Sequence, residues 1–162
     1  MIRIKRVYDA PEPKDGHRVL VDRLWPRGLT KDEAHVDAWM KDLAPSDELR
    51  RWFAHDPERF AEFRRRYREE LRQEPARSQL AELARRAARE TISLVYGAKD
   101  VEHNNAVVLA DELEQRRRRA RSAASRDVRT GARPGSASRS AVSRPTRSGS
   151  GRSPRRVARR RG

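Results

Sequence analysis

HRVLVDRL, from His17 to Leu24, decides the fold: it is β-branched and apolar, with Val19 and Val21 on one face and Leu20 on the other. Successive side chains of a strand point to opposite faces, so a run that is apolar on both predicts a strand buried on both sides. Trp25-Pro26-Arg27-Gly28 stops it, because proline cannot donate to a sheet ladder and glycine accepts a positive φ. A second run of this kind, TISLVY from Thr91 to Tyr96, is ended by Gly97. Long helical segments lie between the two, which is the βαβ logic of a parallel pairing.

On the N-terminal side, residues 2–8 (IRIKRVY) alternate through Ile2 and Ile4 and predict a first, half-buried strand. Asp9 to Gly16 (DAPEPKDG) is dense in turn formers and reads as a loop. Between the buried strands, Thr30 to Glu33 has the T-x-x-E form of a capping box and starts a short helix toward Ala34. Ser46 is placed as the N-cap of a helix with Asp47 and Glu48 in its first turn and Leu49, Trp52 and Phe53 on its apolar side. Asp56 and Pro57 open the next, whose stripe is Phe60, Phe63, Tyr67 and Leu71. Pro75 breaks it, and Leu80, Leu83, Ala84 and Ala87 form another stripe. A last helix from about His103 buries Ala106, Leu109, Ala110 and Leu113. The fold class is therefore α/β, a small mostly parallel sheet with packed helices.

Charge divides the chain in two. Of its 162 residues, those from Arg116 to Gly162 hold 17 arginines and one acid, a net charge of +16, while residues 1–115 hold 22 basic and 23 acidic side chains. The first part has the length of one domain with a modest core. In the second the apolar period vanishes into Arg, Ser, Pro, Gly and Ala, so 116–162 is expected to be a disordered basic tail. Such a tail, Arg116 to Arg161, would bind RNA, DNA or acidic surfaces non-specifically, and its composition is equally that of a loosely constrained extension. The absence of cysteine excludes disulfides, thiolate nucleophiles and cysteine zinc sites. With no signal-peptide run and no apolar stretch of membrane-spanning length, a cytoplasmic location without membrane partners is expected.

Four further features carry a family resemblance: VDRLWPRG (Val21 to Gly28), VYGAKD (Val95 to Asp100) followed by Asn104-Asn105-Ala106, the KRVYD opening, and the ELRRWF, F-x-x-x-Y-x-x-EL and VLADEL helices. Over Met1 to about Glu114 the chain resembles the YeaO-like branch of the domain of unknown function 488 family. The resemblance implies a small cytoplasmic α/β domain, carries over no catalytic roles, and does not account for the tail.

Ligands of open α/β sheets bind beyond the carboxyl ends of the strands, where adjacent loops converge. That rule selects Asp22, Arg23, Trp25, Arg27 and Gly28 from the first loop, and Tyr96, Lys99, Asp100 and Asn104, with His103 and Asn105, from the second. Arginine forks and a lysine point charge suit a small anionic, phosphorylated or nucleotide-like ligand. The competing roles are structural: Trp25 capping the core, Asn104 and Asn105 capping a helix, Lys99 solvated rather than a Schiff-base lysine. His55-Asp56 has the form of a metal-phosphohydrolase dyad but lacks recognisable further ligands, and Asp56 already serves as a cap, so no metal is expected. No GxGxxG, P-loop or GxSxG motif is present, no cofactor is implied, and whether the domain is an enzyme stays open. Arg64, Arg65, Arg66 and Arg68 are interspersed with Glu62, Glu69 and Glu70 and read as a solvated face. The alternatives to a small-anion domain are a nucleic-acid-associated protein anchored by the tail, and a protein-interaction module using Trp39, Trp52 and Phe53 as an exposed patch.

Overall fold

Ile2–Arg6 (β1), His17–Leu20 (β2), Ala38–Trp39 (β3) and Ile92–Tyr96 (β4) form one sheet in the order β1-β4-β2-β3, with every pairing parallel. They belong to a computed structural model that describes residues 1–130, and the side chains of residues 1–125. β4 lies between β1 and β2, and all five of its residues are buried. Its alternation sorts the core: Ile92, Leu94 and Tyr96 join Val19 and Val21 in the larger cluster, while Val95 joins Val7 and Ala34 in a smaller one. The continuous apolar run of TISLVY thus reflects two covered faces, as a parallel sheet requires.

Helices Lys31–Ala34 (α1), Asp47–Phe53 (α2), Phe60–Glu70 (α3), Ala76–Ala87 (α4) and Asn105–Thr130 (α5) complete the domain. Thr30 caps α1 in a reciprocal capping box with Glu33. The Ser46 Oγ accepts from the Leu49 N–H at 3.1 Å and donates to Glu70, so one residue both starts α2 and ties it to the end of α3. Phe63, Tyr67, Leu80, Leu83, Leu109 and Leu113 bring α3, α4 and α5 onto the larger face of the sheet. The buried Tyr67 hydroxyl donates to the Leu43 carbonyl, which satisfies the one polar atom that side chain takes into the core. On the smaller face, Trp25, Leu29 and Val36 close over Val95.

Several boundaries differ from those the sequence suggests. The first strand ends at Arg6 rather than Tyr8, although the Val7 N–H still bonds to the Tyr96 carbonyl at 2.8 Å. β2 ends at Leu20 rather than Leu24; one further bond, Val21 N–H to Val95 carbonyl at 3.0 Å, precedes a loop whose Asp22 bonds through its side chain. β3 is too short to show a period. α5 begins at Asn105, with Asn104 as its cap, not at His103. It also continues to Thr130, past the expected end of order near Arg116. The apolar stripe lapses there, but Arg and Ala are strong helix formers, and elongating a nucleated helix is far easier than starting one. The remainder of the expected tail, from residue 131, lies outside the described residues. Among the described residues no helix is long and apolar enough to cross a membrane.

The backbone is tightly packed at the entry into β2. Gly16 has φ +65°, and a Cβ there would collide with the backbone carbonyl of Thr91, the acceptor for the His17 N–H at 2.9 Å. Gly16→Ala therefore combines an unfavourable φ with a clash against main chain that cannot yield without opening the β2–β4 pairing. A loss of about 2–3 kcal/mol in urea unfolding is expected, against about 1 kcal/mol for an alanine at Gly28, where the φ of +77° is unfavourable but a Cβ meets no neighbour.

Candidate functional site

Because β2 and β4 are parallel neighbours, the loops that follow them leave the sheet at the same end. They are bonded directly to each other. Asp22 accepts from the Gly97 N–H at 2.7 Å and from the Asn105 Nδ2 at 3.2 Å, and that same Nδ2 donates to the Val21 carbonyl at 2.8 Å. The Trp39 indole N–H holds the Asp22 carbonyl at 2.7 Å. A Cβ at Gly97 would stand 3.1 Å from the Asp22 carboxylate, a tight contact that a side chain there could keep only if Asp22 shifted.

Beside this junction opens a cleft of about 370 Å³, lined by Asp22, Arg23, Arg27, Arg50, Phe53, His55, Phe63, Gly97 and Asn105 among others. That volume lies in the range of small-ligand sites. Phe53 and Phe63 stack at 4.2 Å between ring centroids and are nearly fully buried, giving the cleft an aromatic wall. Arg23 and Arg50 each have a buried Nε with no hydrogen-bond partner among the described groups. Arg64 and Arg68, away from the cleft, also have a buried Nε without a partner, so of four such arginines two border this cleft. Burial pushes the Asp22 carboxyl above the ordinary aspartate value; the bonds from Gly97 and Asn105 and the nearby His55 oppose this without reversing it.

The sequence-predicted residues separate into two sets. Asp22, Arg23 and Arg27 line the cleft together with Asn105. Trp25 instead bonds to the Leu29 carbonyl at 2.7 Å, stands edge-on to Trp39, and covers the smaller core. Gly28 makes the turn at φ +77°. Tyr96 is buried in the larger core, and burial raises its phenol. Asp100 accepts from the N–H groups of Glu102 and His103 and from the His103 ring; the backbone bonds hold its carboxyl below the usual range. Asn104 is 1 % exposed and caps α5 through the Val107 N–H at 3.0 Å, while Lys99 is exposed beside the cleft residue Ala98. Of the second loop, then, Gly97, Ala98 and Asn105 reach the cleft.

Arg50, His55, Phe53 and Phe63 were not foreseen as cleft residues. The phenylalanines lie on stripes that also read as core, and His55 reaches the cleft because Ala54 and His55 both take positive φ, a turn that no glycine announces. Asp56 caps the following turn through the Glu58 N–H at 3.0 Å, in keeping with its structural role. Trp39, Trp52 and Phe53 do not form one exposed apolar patch: Phe53 is buried, Trp52 lies under Arg59 and Arg66, and Trp39 is bonded to Asp22.

An all-parallel α/β domain with an arginine-rimmed cleft at the carboxyl ends of its strands is the class these features define. Over residues 1–130 the chain matches the family described as the inactive DUF488-N3 subclade, and it belongs to that family. It is 48% identical over 115 residues to the uncharacterised protein Rv3073c of Mycobacterium tuberculosis (strain ATCC 25618 / H37Rv), covering 71% of this chain and 95% of the relative. It is 45% identical over 113 residues to the uncharacterised protein YeaO of Escherichia coli (strain K12), covering 69% of this chain and 96% of the relative. No solved structure matches significantly.

The raised carboxyl of Asp22 has a signed consequence for stability. Between its ordinary and its raised value the folded protein keeps a proton that the unfolded chain has lost, so this stabilisation is present at low pH and disappears as pH rises through the folded value. Asp22→Asn has no such titration. The melting temperature of Asp22→Asn minus that of wild type is expected to increase from about pH 4 to about pH 7, and a difference that stays flat across that window would contradict the assignment.

Proposed function

We propose that this is a cytoplasmic domain that binds a small anionic ligand, phosphorylated or nucleotide-like, in the cleft between the loops after β2 and β4. The observation that carries the proposal is the pair of orphaned guanidinium Nε atoms of Arg23 and Arg50 at the cleft, with the free fork of Arg27 at its rim. A phosphoryl group would supply the missing acceptors, and charge-assisted bonds of this kind are the stronger class of hydrogen bond. Phe53 and Phe63 line the cleft but are buried, so they give a ligand an apolar wall rather than an open ring face to stack on.

Asp22 shapes the charge of the site. A carboxyl that holds its proton to higher pH presents less negative charge to an incoming anion. Ligand affinity in this scheme rises as pH falls through the raised value of Asp22. The family description, inactive, accords with binding rather than turnover.

Thermal-shift titration of the full chain with nucleoside monophosphates, sugar phosphates and inorganic phosphate tests the proposal. A ligand that raises the melting temperature of wild type should bind Arg23→Ala and Arg27→Ala about 10-fold to 100-fold more weakly, the equivalent of one lost charge-assisted bond. Stabilisation equal in wild type and both variants would place the anion elsewhere, and no stabilisation by any of the three classes would count against the site.

A further inference from the structure

The cleft leaves unused a second set of cations. α5 packs against both α3 and α4, and two grooves run beside its later turns. One, of about 720 Å³, lies between α4 and α5 and includes Arg89, Arg116 and Arg121; the other, of about 440 Å³, lies between the end of α3 and α5 and includes Arg72, Arg116 and Arg119. Arg116 belongs to both. Most other surface arginines are neutralised at short range: Arg64 by Asp111, Arg65 and Arg66 by Glu62, Arg68 by Glu112, Arg85 by Glu82, Arg117 by Glu114. Arg72, Arg89, Arg116, Arg119 and Arg121 form no ion pair among the described residues. A set of arginines without ion pairs among the described residues therefore lies along these two grooves.

We infer that this surface docks the phosphate backbone of duplex nucleic acid. Charge complementarity extends beyond the grooves, because the sequence from Arg116 onward carries 17 arginines and a single acid, so cations continue from the helix along the chain. A polymer with closely spaced phosphates can neutralise such a set, whereas a single small anion meets only one or two of its members. The larger groove is walled by Ala81, Ala84, Ala88 and Ala120 between its arginines. Alanine walls give a partner peptide no deep pocket for an anchoring side chain, which protein interfaces depend on. Neither groove is lined by an aromatic side chain, so the stacking platform that favours single strands is missing from this surface. What remains is recognition of backbone charge without base readout. The surface is also separate from the proposed ligand cleft: Arg89 precedes β4 by three residues and so stands at the amino ends of the strands, while the cleft is at their carboxyl ends.

The test uses the full chain and a fluorescein-labelled 24-base-pair duplex of arbitrary sequence, followed by anisotropy between about 50 and 200 mM salt. The triple variant Arg89→Gln, Arg116→Gln, Arg121→Gln should bind at least 10-fold more weakly, and its slope of log K against log salt should be shallower by about 2.7 for three lost phosphate contacts. Removing equal charge from the sequence beyond the described residues, by Arg155→Gln, Arg156→Gln, Arg159→Gln, should have a clearly smaller effect. Lysine at the same three groove positions should restore the slope, which separates loss of charge from loss of fold. The inference is overturned if the groove variant binds like wild type, if the control triple loses as much, if lysine fails to restore binding, or if a 24-nucleotide single strand or polyglutamate binds more tightly than the duplex.

Discussion

The parallel ladder between β2 and β4 is the constraint on which the rest of the molecule depends. It fixes Val19 and Val21 beside Ile92 and Leu94 on one face, and it places Leu20 and Val95 on the other. At its start, Gly16 lets the backbone of residues 16 and 17 press against Thr91; at its end, the Asp22 to Gly97 bond holds the two outgoing loops together. Beneath the ladder, Arg18 is 4 % exposed and bonds to Asp15 at 2.6 Å and to the His35 carbonyl at 2.8 Å, which spans the loops before and after β2. Asp15 in turn receives Lys5 from β1. Pairs this deeply buried are expensive to break, because removal of either partner leaves the other charge without compensation.

The strands of this fold were legible because burial on both faces writes a continuous apolar run that a surface strand lacks. HRVL and ISLVY carry that signal, and Ala38–Trp39 is too short to carry any. Helix starts were legible where a side chain does the capping, as at Thr30, Ser46 and Asp56. The continuation of α5 was hidden because hydrophobic period and helix propensity usually lapse together, and at Arg116 only the first does.

Of the residues the sequence singled out, Asp22, Arg23 and Arg27 line the cleft, whereas Trp25, Gly28 and the polar residues of the second loop it named, Asn105 apart, do not. Arg23 and Arg27 follow a buried strand and make no side-chain hydrogen bond among the described residues, whereas Asp22 is held by Gly97 and Asn105 and lines the cleft from that position. Tyr96, Asp100 and Asn104 stand in equally suggestive positions, but each is occupied locally, by the core, by two backbone N–H groups and by the start of α5. A polar residue near a strand end is available to a ligand only when its own loop does not already require it. Arg50 and His55 come from a different part of the chain, and their approach depends on the packing of α2 and on the left-handed turn at Ala54 and His55, neither of which has a local signature.

An all-parallel sheet ordered β1-β4-β2-β3 also sets the order in which the chain can acquire structure. β1 pairs with β4 alone, and β2 has only a two-residue partner in β3 until β4 arrives. Residues 2–6 therefore wait for residues 92–96, a sequence separation of ninety positions, before either gains its ladder. Closure over that distance is entropically slow, and until it happens both incomplete edges remain open to pairing with other chains. During synthesis on a ribosome, most of the domain must emerge before its central strand can be inserted, so sheet formation belongs to the last stage of folding and the early risk is aggregation rather than a wrong turn.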